Sequence, residues 1–231
     1  TARLYTDVGL FTCREDIVDD VADLFNYLTG FSRSPEYRRA LVAPEHLRDD
    51  LIGCIDRVTE RHQAGEPGHI RMKLNSMIDG RVIEALFRAS NAGVPVEVLV
   101  RGICGFLPGV PGASENIRVT SVVGRFLEHS RIFVFTSGDE QQVLTGSADI
   151  MARNLDDRVE LITPVDDPDL AADLVSMVDT MLMDTAGAWR LHADRAWERV
   201  RPAAGDPPFS SQQALMDRAA HRPVAGPRDD R

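Results

Sequence analysis

The chain has 231 residues, 43% of them hydrophobic, and a formal net charge of −10, which is typical of a soluble globular domain with attachments. The acidic balance argues against general nucleic-acid binding, because proteins that bind polyanions without sequence preference carry a basic face. The sequence has neither an apolar run of about 18 residues nor a signal-peptide pattern at its start, so we expect no transmembrane segment and a cytoplasmic location.

Strands and helices are predicted to alternate along the chain. Short apolar runs bounded by turn residues indicate strands, and apolar residues that recur at helical spacing indicate helices. In chain order, the predicted elements are strand 3–12, helix 16–28, strand 39–42, a helix after Pro44, strand 70–75, helix 80–92, strands 95–101, 117–123, 126–135, 142–145 and 158–163, and a long helix begun by residues 167–169. This order predicts an α/β fold with a wide mixed sheet.

Two segments are predicted to lie outside regular elements. Residues 102–115 contain four glycines and two prolines, which favours a loop on the substrate side of the sheet. From residue 201 onward prolines, glycines and charges dominate, so residues 201–231 are predicted to form a mostly disordered tail with room for a short helix across 211–219. A boundary between two units is expected near residues 32–38.

Cysteines and acidic residues do not indicate a metal site. Cys13, Cys54 and Cys104 are an odd number without close spacing, which argues against a disulfide framework and against zinc. No acidic pair is convincing as a ligand set for magnesium. We therefore assign no metal-binding residue.

Three short segments contain residue types that handle phosphate. They are His129-Ser130-Arg131, Gly146-Ser147-Ala148-Asp149 and Arg158-Val159-Glu160. Side chains at positions i and i+2 of a strand share a face, so His129 is expected to project beside Arg131, and Arg158 beside Glu160. A lone histidine in a strand is more often structural, but the two downstream segments favour a functional His129.

Each of these residue types has a use in phosphate chemistry. His129 can attack phosphorus or donate a proton, and a nitrogen–phosphorus bond is labile enough for transfer in both directions. Ser147 can donate a further hydrogen bond, and either Glu160 or Asp149 can hold the tautomer of the imidazole. Phosphoryl oxygens can be neutralised by guanidinium groups at predicted strand ends, which are Arg101, Arg131 and Arg158.

The spacing of these residues resembles the pattern of the phospholipase D superfamily, which reads His-x-Lys, Gly-Ser-x-Asn and a downstream acid. This chain differs at two positions, since Arg131 stands for the lysine and Asp149 for the asparagine. The resemblance implies a phospholipase-D-like α/β domain with a mixed central sheet flanked by helices. It also keeps open a phosphodiesterase that uses one motif per subunit of a homodimer.

A longer series of motifs resembles the C-terminal part of the long-chain polyphosphate kinases. The matching segments extend from residue 1 to about residue 200 and are Thr-Ala-Arg-Leu-Tyr-Thr-Asp at 1–7, Met-Lys-Leu-Asn-Ser-Met-Ile-Asp at 72–79, Leu-Val-Arg-Gly-Ile-Cys at 99–104, Glu-Asn-Ile-Arg-Val at 115–119, Phe-Leu-Glu-His-Ser-Arg at 126–131 and a run at 147–160. This resemblance implies reversible transfer of the terminal phosphate of ATP to inorganic polyphosphate through a phosphohistidine, and hence a phosphoprotein.

The same resemblance divides the chain and suggests roles for its residues. Residues 1–35 would be the last strand and helix of a preceding phospholipase-D-like domain, residues 36–200 the C-terminal one and residues 201–231 the tail. Together with the chemistry above, it predicts catalytic roles for His129 and Glu160. The residues predicted to bind ATP or polyphosphate are Arg101, His129, Arg131, Ser147 and Arg158.

The resemblance also implies partners that this sequence does not contain. The acceptor histidine and the magnesium-binding arginines would belong to the preceding N-terminal half of the same enzyme, with Mg²⁺ bound alongside ATP. The isolated chain is then expected to bind ATP, ADP or polyphosphate with little or no turnover. A homo-oligomer is expected. Peripheral association with a membrane stays open, as does a non-catalytic role in assembly.

Overall fold

The computed structural model describes residues 4–30 and 36–221. Its strands are β1 (Tyr5–Thr6), β2 (Leu41–Ala43), β3 (Gly68–Leu74), β4 (Val96–Val100), β5 (Ile117–Val122), β6 (Leu127–Glu128), β7 (Arg131–Ser137), β8 (Glu140–Gly146), β9 (Glu160–Pro164), β10 (Ala188–Leu191) and β11 (Trp197–Arg199). Its helices are α1 (Glu15–Leu28), α2 (Leu47–Gln63), α3 (Gly80–Asn91), α4 (Ala152–Leu155), α5 (Pro168–Leu182) and α6 (Ser211–His221).

Nine of the described strands form one mixed sheet in the order β11-β10-β5-β4-β3-β7-β8-β9-β2. Strands β3, β4 and β5 run parallel, whereas β7 is antiparallel to both β3 and β8. The segments that connect the strands explain why parallel and antiparallel pairs occur in one sheet. Parallel neighbours need a crossover such as α3, while antiparallel neighbours can be joined by a tight turn. Gly138, with φ of +56°, makes that turn between β7 and β8. The predicted α/β class with a mixed central sheet is confirmed.

The central strands of the sheet are buried on both faces because helices pack on each side of them. On one face, α2 and α3 form a core with Phe133 of β7. On the other face, Leu174 and Val178 of α5 pack with Ile132 of the same strand. Successive side chains of a strand point to opposite faces, so the uninterrupted apolar sequence of β7 serves both cores. No helix in residues 4–30 and 36–221 is long and apolar enough to cross a membrane.

The N-terminal segment contacts the later residues at two places. In α1, the buried carboxylate of Asp20 accepts hydrogen bonds from the backbone N–H groups of Arg38, Arg39 and Ala40, which lead into β2. Upstream of α1, β1 pairs in parallel with β6. The second contact puts residues from the start of the chain next to His129.

Two sequence predictions differ from the structure, and a third differs in part. Of the strand predicted over residues 3–12, only β1 pairs with a neighbour in the described residues. The strand predicted over residues 126–135 is interrupted at His129 and Ser130, which separate β6 from β7. In the tail predicted to be mostly disordered, the short helix expected across residues 211–219 is present as α6, and it is attached to the rest of the fold because Ser211 and Gln212 find buried hydrogen-bond partners that composition does not reveal.

Some predictions concern residues that lie wholly or partly outside the described ranges. The last part of the predicted tail, residues 222–231, lies outside the described residues. The same is true of part of the boundary expected near residues 32–38. The division of the chain into units at residues 35 and 200 therefore stays a prediction.

Candidate functional site

A cavity of about 660 Å³ opens beside the end of β8, the start of β9 and the interruption between β6 and β7. It is lined by all six residues predicted for the site, which are Arg101, His129, Arg131, Ser147, Arg158 and Glu160. Sequence analysis did not assign six further polar residues of its lining, which are Asp7, Asn75, Thr145, Arg153, Asn154 and Thr163. The predicted residues therefore share one surface, and their contacts determine what each can do there.

The Nδ1 atom of His129 is close to both an obligate hydrogen-bond donor and an obligate acceptor. Its Nδ1 is 2.7 Å from Nη1 of Arg131 and 3.3 Å from Oδ2 of Asp7. Because a guanidinium can only donate, the shorter contact requires Nδ1 to accept, which puts the proton of a neutral imidazole on Nε2. The Tyr5 ring packs edge-on against the imidazole with 5.7 Å between ring centroids. In this state His129 is a hydrogen-bond donor through Nε2.

The Arg131 guanidinium is buried and already paired with a carboxylate. Its Nη2 donates to Oδ2 of Asp149 at 2.9 Å, and its Nε donates to Oδ1 at 3.3 Å. Asp149 also accepts from the backbone N–H of Asn75 at 2.7 Å. The charge of Arg131 is therefore compensated within the protein, and its contact with Nδ1 orients His129. The suggestion that Asp149 holds the imidazole is wrong.

Glu160 is buried at the first position of β9, and its hydrogen bonds go to residues other than His129. Its two carboxylate oxygens accept short hydrogen bonds from the Ser147 hydroxyl and from the Asn154 amide. The suggestion that Glu160 holds the tautomer of His129 is therefore also wrong, because both of its oxygens are engaged by Ser147 and Asn154. Arg158 precedes β9, and its half-exposed guanidinium reaches Glu160 only at 3.9 Å.

The turn that carries Ser147 requires a glycine before it. A Cβ atom added at Gly146 would overlap the carbonyl oxygen of Leu161 on β9 and lie 2.6 Å from the Cα of Ile162. Real Cβ atoms do not approach backbone so closely, since close packing leaves no room for the overlap. The Gly-Ser pair is therefore explained by the close approach of β8 to β9 at the cavity wall.

Two guanidinium groups line the cavity without a carboxylate partner in the described part of the chain. Arg101 donates from Nη1 to the backbone carbonyl of Glu128 at 2.8 Å, and its other N–H groups are not used by described residues. Arg153 is exposed on α4 and forms no ion pair with them. A guanidinium has five N–H donors, so both can bind an anion. Sequence analysis missed Arg153, although it follows the Ser147 motif directly in a short helix.

Lys73 is a buried cation behind the cavity that sequence analysis did not assign. Its Nζ donates to the backbone carbonyl of Ser130 at 2.7 Å and lies 3.9 Å from Oε2 of Glu128. Burial, together with the nearby charges of Arg131 and Arg101, lowers the pKa of Lys73 to about 8, and Glu128 opposes this shift. It is the only lysine of the chain, and this rarity is the feature of the sequence by which Lys73 could have been singled out.

The lowered pKa of Lys73 predicts a specific pH dependence of stability. Between pH 8 and pH 10.5 the unfolded chain holds the lysine proton that the folded chain has released, so the free energy of unfolding rises with pH in that window. The rise should reach at most about 3 kcal/mol. Urea unfolding at pH 7, 8, 9 and 10 should show it as a difference between wild type and Lys73→Met. Parallel pH curves for the two proteins would contradict the assignment.

The fold and the site together define a class of protein. It is an α/β protein with a cavity lined by His129 and by arginines that have no carboxylate partner among the described residues. Two protein-family models match this chain and identify its family. Polyphosphate kinase C-terminal domain 2 matches residues 40–212, and polyphosphate kinase C-terminal domain 1 matches residues 1–34. The chain belongs to the polyphosphate kinase family.

Individual relatives agree with this assignment. The chain is 50% identical over 223 residues to a polyphosphate kinase of Streptomyces coelicolor and 47% identical over 219 residues to one of Synechocystis. These alignments cover 96% and 95% of this chain but 30% of each relative. The crystal structure of a polyphosphate kinase from Porphyromonas gingivalis matches 90% of this chain and 32% of its own, with a TM-score of 0.86 and 36% identity. The chain thus spans about a third of these proteins.

Proposed function

We propose that the cavity binds the phosphate groups of ATP, ADP and inorganic polyphosphate, as the phosphate-binding part of a polyphosphate kinase. One observation carries the proposal. Around a single cavity, Arg101 and Arg153 have no carboxylate partner among the described residues, and His129 offers a donor to the same space. Phosphoryl oxygens satisfy such donors with charge-assisted hydrogen bonds. The longer enzyme would transfer the terminal phosphate of ATP reversibly to polyphosphate.

The tautomer of His129 supports a binding role over a nucleophilic one. A nucleophilic histidine needs a ring nitrogen with a free lone pair, but Nδ1 accepts from Arg131 and Nε2 holds the proton. We therefore assign to His129 a hydrogen bond to a phosphoryl oxygen. The phosphate-accepting histidine would belong to the remainder of the enzyme. There its nitrogen forms a bond to the terminal phosphorus while the bond to the ADP oxygen breaks.

The remaining residues of the cavity would neutralise the charge of the phosphate groups or keep the cavity wall in place. Arg101, Arg153 and Arg158 neutralise the phosphoryl oxygens, which is the main contribution a protein makes to phosphoryl transfer. Glu160 holds Ser147 and Asn154 in place and so shapes the cavity wall. Its role is positional, since both of its oxygens are engaged by the protein.

Magnesium is proposed to accompany the nucleotide. Among residues 4–30 and 36–221, no group of three or more His, Cys, Asp or Glu side chains could hold a metal ion. The described residues therefore offer no complete ligand set for magnesium. The ligands would come from the nucleotide and from the longer enzyme. Assembly as a homo-oligomer remains a prediction.

Replacing His129 tests the proposed function. His129→Ala should weaken binding of tripolyphosphate and of ATP by about tenfold, because a hydrogen bond to a charged group is lost. Isothermal titration calorimetry measures both affinities. His192→Ala is the matched control, since the two imidazoles are equally exposed and each is near a carboxylate, but His192 lies outside the cavity. Unchanged affinity of His129→Ala for both ligands would contradict the proposal.

Two further assays separate the competing functions. Incubation with γ-labelled ATP and Mg²⁺ should leave no acid-labile phosphate on the isolated chain. Label that appears on wild type and vanishes in His129→Ala would show that His129 is itself the acceptor. Hydrolysis of a chromogenic phosphodiester would instead favour the one-motif-per-subunit phosphodiesterase. That activity would need a cation beside His129 to neutralise the phosphodiester, whereas the charge of Arg131 is already compensated by Asp149.

A further inference from the structure

The segment that carries His129 is held from two sides by parts of the chain that are distant in sequence. On one side, the backbone N–H groups of Leu127 and His129 donate to the carbonyls of Leu4 and Thr6 at 2.6 and 2.8 Å. On the other side lies Gln212 of α6, which is buried. The contacts that Gln212 of α6 makes with this segment are not explained by the roles proposed for the cavity residues.

The Gln212 carboxamide pairs with the backbone of Phe126 as a neighbouring strand would. Its Oε1 accepts from the N–H of Phe126 at 2.9 Å, and its Nε2 donates to the Phe126 carbonyl at 3.1 Å. One side chain therefore satisfies both backbone polar groups of Phe126, which has no strand on that side. Gly124 leaves the space, since a Cβ atom there would lie 2.5 Å from Oε1 of Gln212.

Gln212 also reaches the charges behind the cavity through Glu128. Its Nε2 donates to Oε1 of Glu128 at 2.9 Å, and the other oxygen of that carboxylate lies 3.9 Å from Nζ of Lys73. The backbone carbonyl of Glu128 accepts from Arg101. Lys73 in turn holds the carbonyl of Ser130. A continuous set of hydrogen bonds and one ion pair thus joins α6 to both sides of His129.

Helix α6 is itself firmly attached. Asp184, which is 2% exposed, accepts from both the N–H and the hydroxyl of Ser211 at 2.7 Å. At the other end of the helix, Arg218 donates to the Ser176 hydroxyl of α5 at 3.1 Å. Gln212 follows Ser211 directly, so the anchored start of α6 fixes where its carboxamide lies.

We propose that Gln212 is a positioning residue for the phosphate site, holding the 126–130 segment so that His129 and Arg101 face one anion together, with Lys73 buried behind them. This inference rests on the proposed function, to which it adds a residue outside the cavity. Gln212 does not line the cavity. Its effect passes through Glu128 and the backbone of Phe126.

Two variants displace the carboxamide in different ways. Gln212→Glu keeps the acceptor for Phe126 but replaces the donor to Glu128 by a second carboxylate, and like charges at this distance repel. Gly124→Ala leaves Gln212 intact and pushes its end away from Phe126. Gln213→Glu is the matched control, because it adds the same charge at the next, exposed position of α6.

Hydrogen exchange at individual amides and affinity for tripolyphosphate are the two measurements. Both displacing variants should speed exchange at Phe126, Leu127 and His129 by about tenfold and weaken tripolyphosphate binding by about five- to tenfold. Exchange in β3 should not change, and Gln213→Glu should match wild type in both measurements.

The outcomes distinguish this inference from the proposed function. Wild-type exchange at residues 126–129 in both displacing variants would overturn the inference, and so would faster exchange with wild-type affinity. If the wild-type chain binds no tripolyphosphate, the proposed function fails, and the exchange data alone then decide whether Gln212 holds the segment. A uniform rise of exchange that includes β3 would indicate general destabilisation and would also overturn the inference.

Discussion

Replacing Arg101 by alanine is expected to lower the affinity of the chain for tripolyphosphate by about 10- to 100-fold. Removing a charge-assisted hydrogen bond to a charged ligand costs about 1.5–3 kcal/mol. Arg101 should show the full loss because its only hydrogen bond to described residues goes to a backbone carbonyl, so no carboxylate neutralises it. Isothermal titration at two salt concentrations measures the effect and its dependence on charge screening.

The control for Arg101 removes the same charge elsewhere. Arg118 on β5 is 74% exposed, reaches its acidic neighbour Glu97 only at 4.0 Å and does not line the cavity. Arg118→Ala should leave the affinity close to that of wild type. Arg101→Lys should fall between wild type and Arg101→Ala, because a lysine keeps the charge but loses the planar fork. Similar losses in Arg101→Ala and Arg118→Ala would mean that the ligand senses only overall charge.

Replacing Asp149 by alanine is expected to lower the free energy of unfolding by about 3–5 kcal/mol, the usual result of removing one partner from a buried ion pair. Both side chains of the pair with Arg131 are about nine-tenths buried. The substitution also removes the acceptor for the N–H groups of Asn75 and Ser76. Urea unfolding followed by circular dichroism measures the change.

An exposed ion pair is the matched control for Asp149. Asp56 pairs with Arg88 at 2.8 Å, but the Arg88 and Asp56 side chains are 53% and 38% exposed, so Asp56→Ala should cost less than about 1 kcal/mol. The double variant Arg131→Met/Asp149→Ala should recover part of the loss, because it leaves no buried charge without a partner. A loss for Asp149→Ala as small as that for Asp56→Ala would refute the burial argument.

Much of the site could be predicted because its residues lie in short motifs. His129 and Arg131, Ser147 and the acid at position 160 were recognised from spacing alone, and all line one cavity. Their partners could not be recognised in this way. Asp7 lies 122 positions before His129, and Gln212 lies 84 positions after Glu128. Local patterns carry no information on contacts across such separations.

The same limit explains the errors in secondary structure. An apolar run such as residues 126–135 indicates a strand, but whether it pairs throughout depends on its neighbours. Here the first part pairs with β1 and the second with β3 and β8, so the chain breaks between them at His129 and Ser130. Likewise, the sequence predicted a short helix across residues 211–219 within a mostly disordered tail, but it could not predict that the first residues of α6 bind to buried acceptors and attach this part of the tail.

The sequence by itself determined the α/β class, the membership of the polyphosphate kinase family and the identity of the cations, since motifs and periodicity are local properties. Only the tertiary structure decided which of those cations are available to a ligand. Arg131 is neutralised by Asp149, whereas Arg101 and Arg153 have no carboxylate partner among the described residues. The physical reason is that the charge available at a site depends on distances of a few ångströms between side chains, and folding sets those distances.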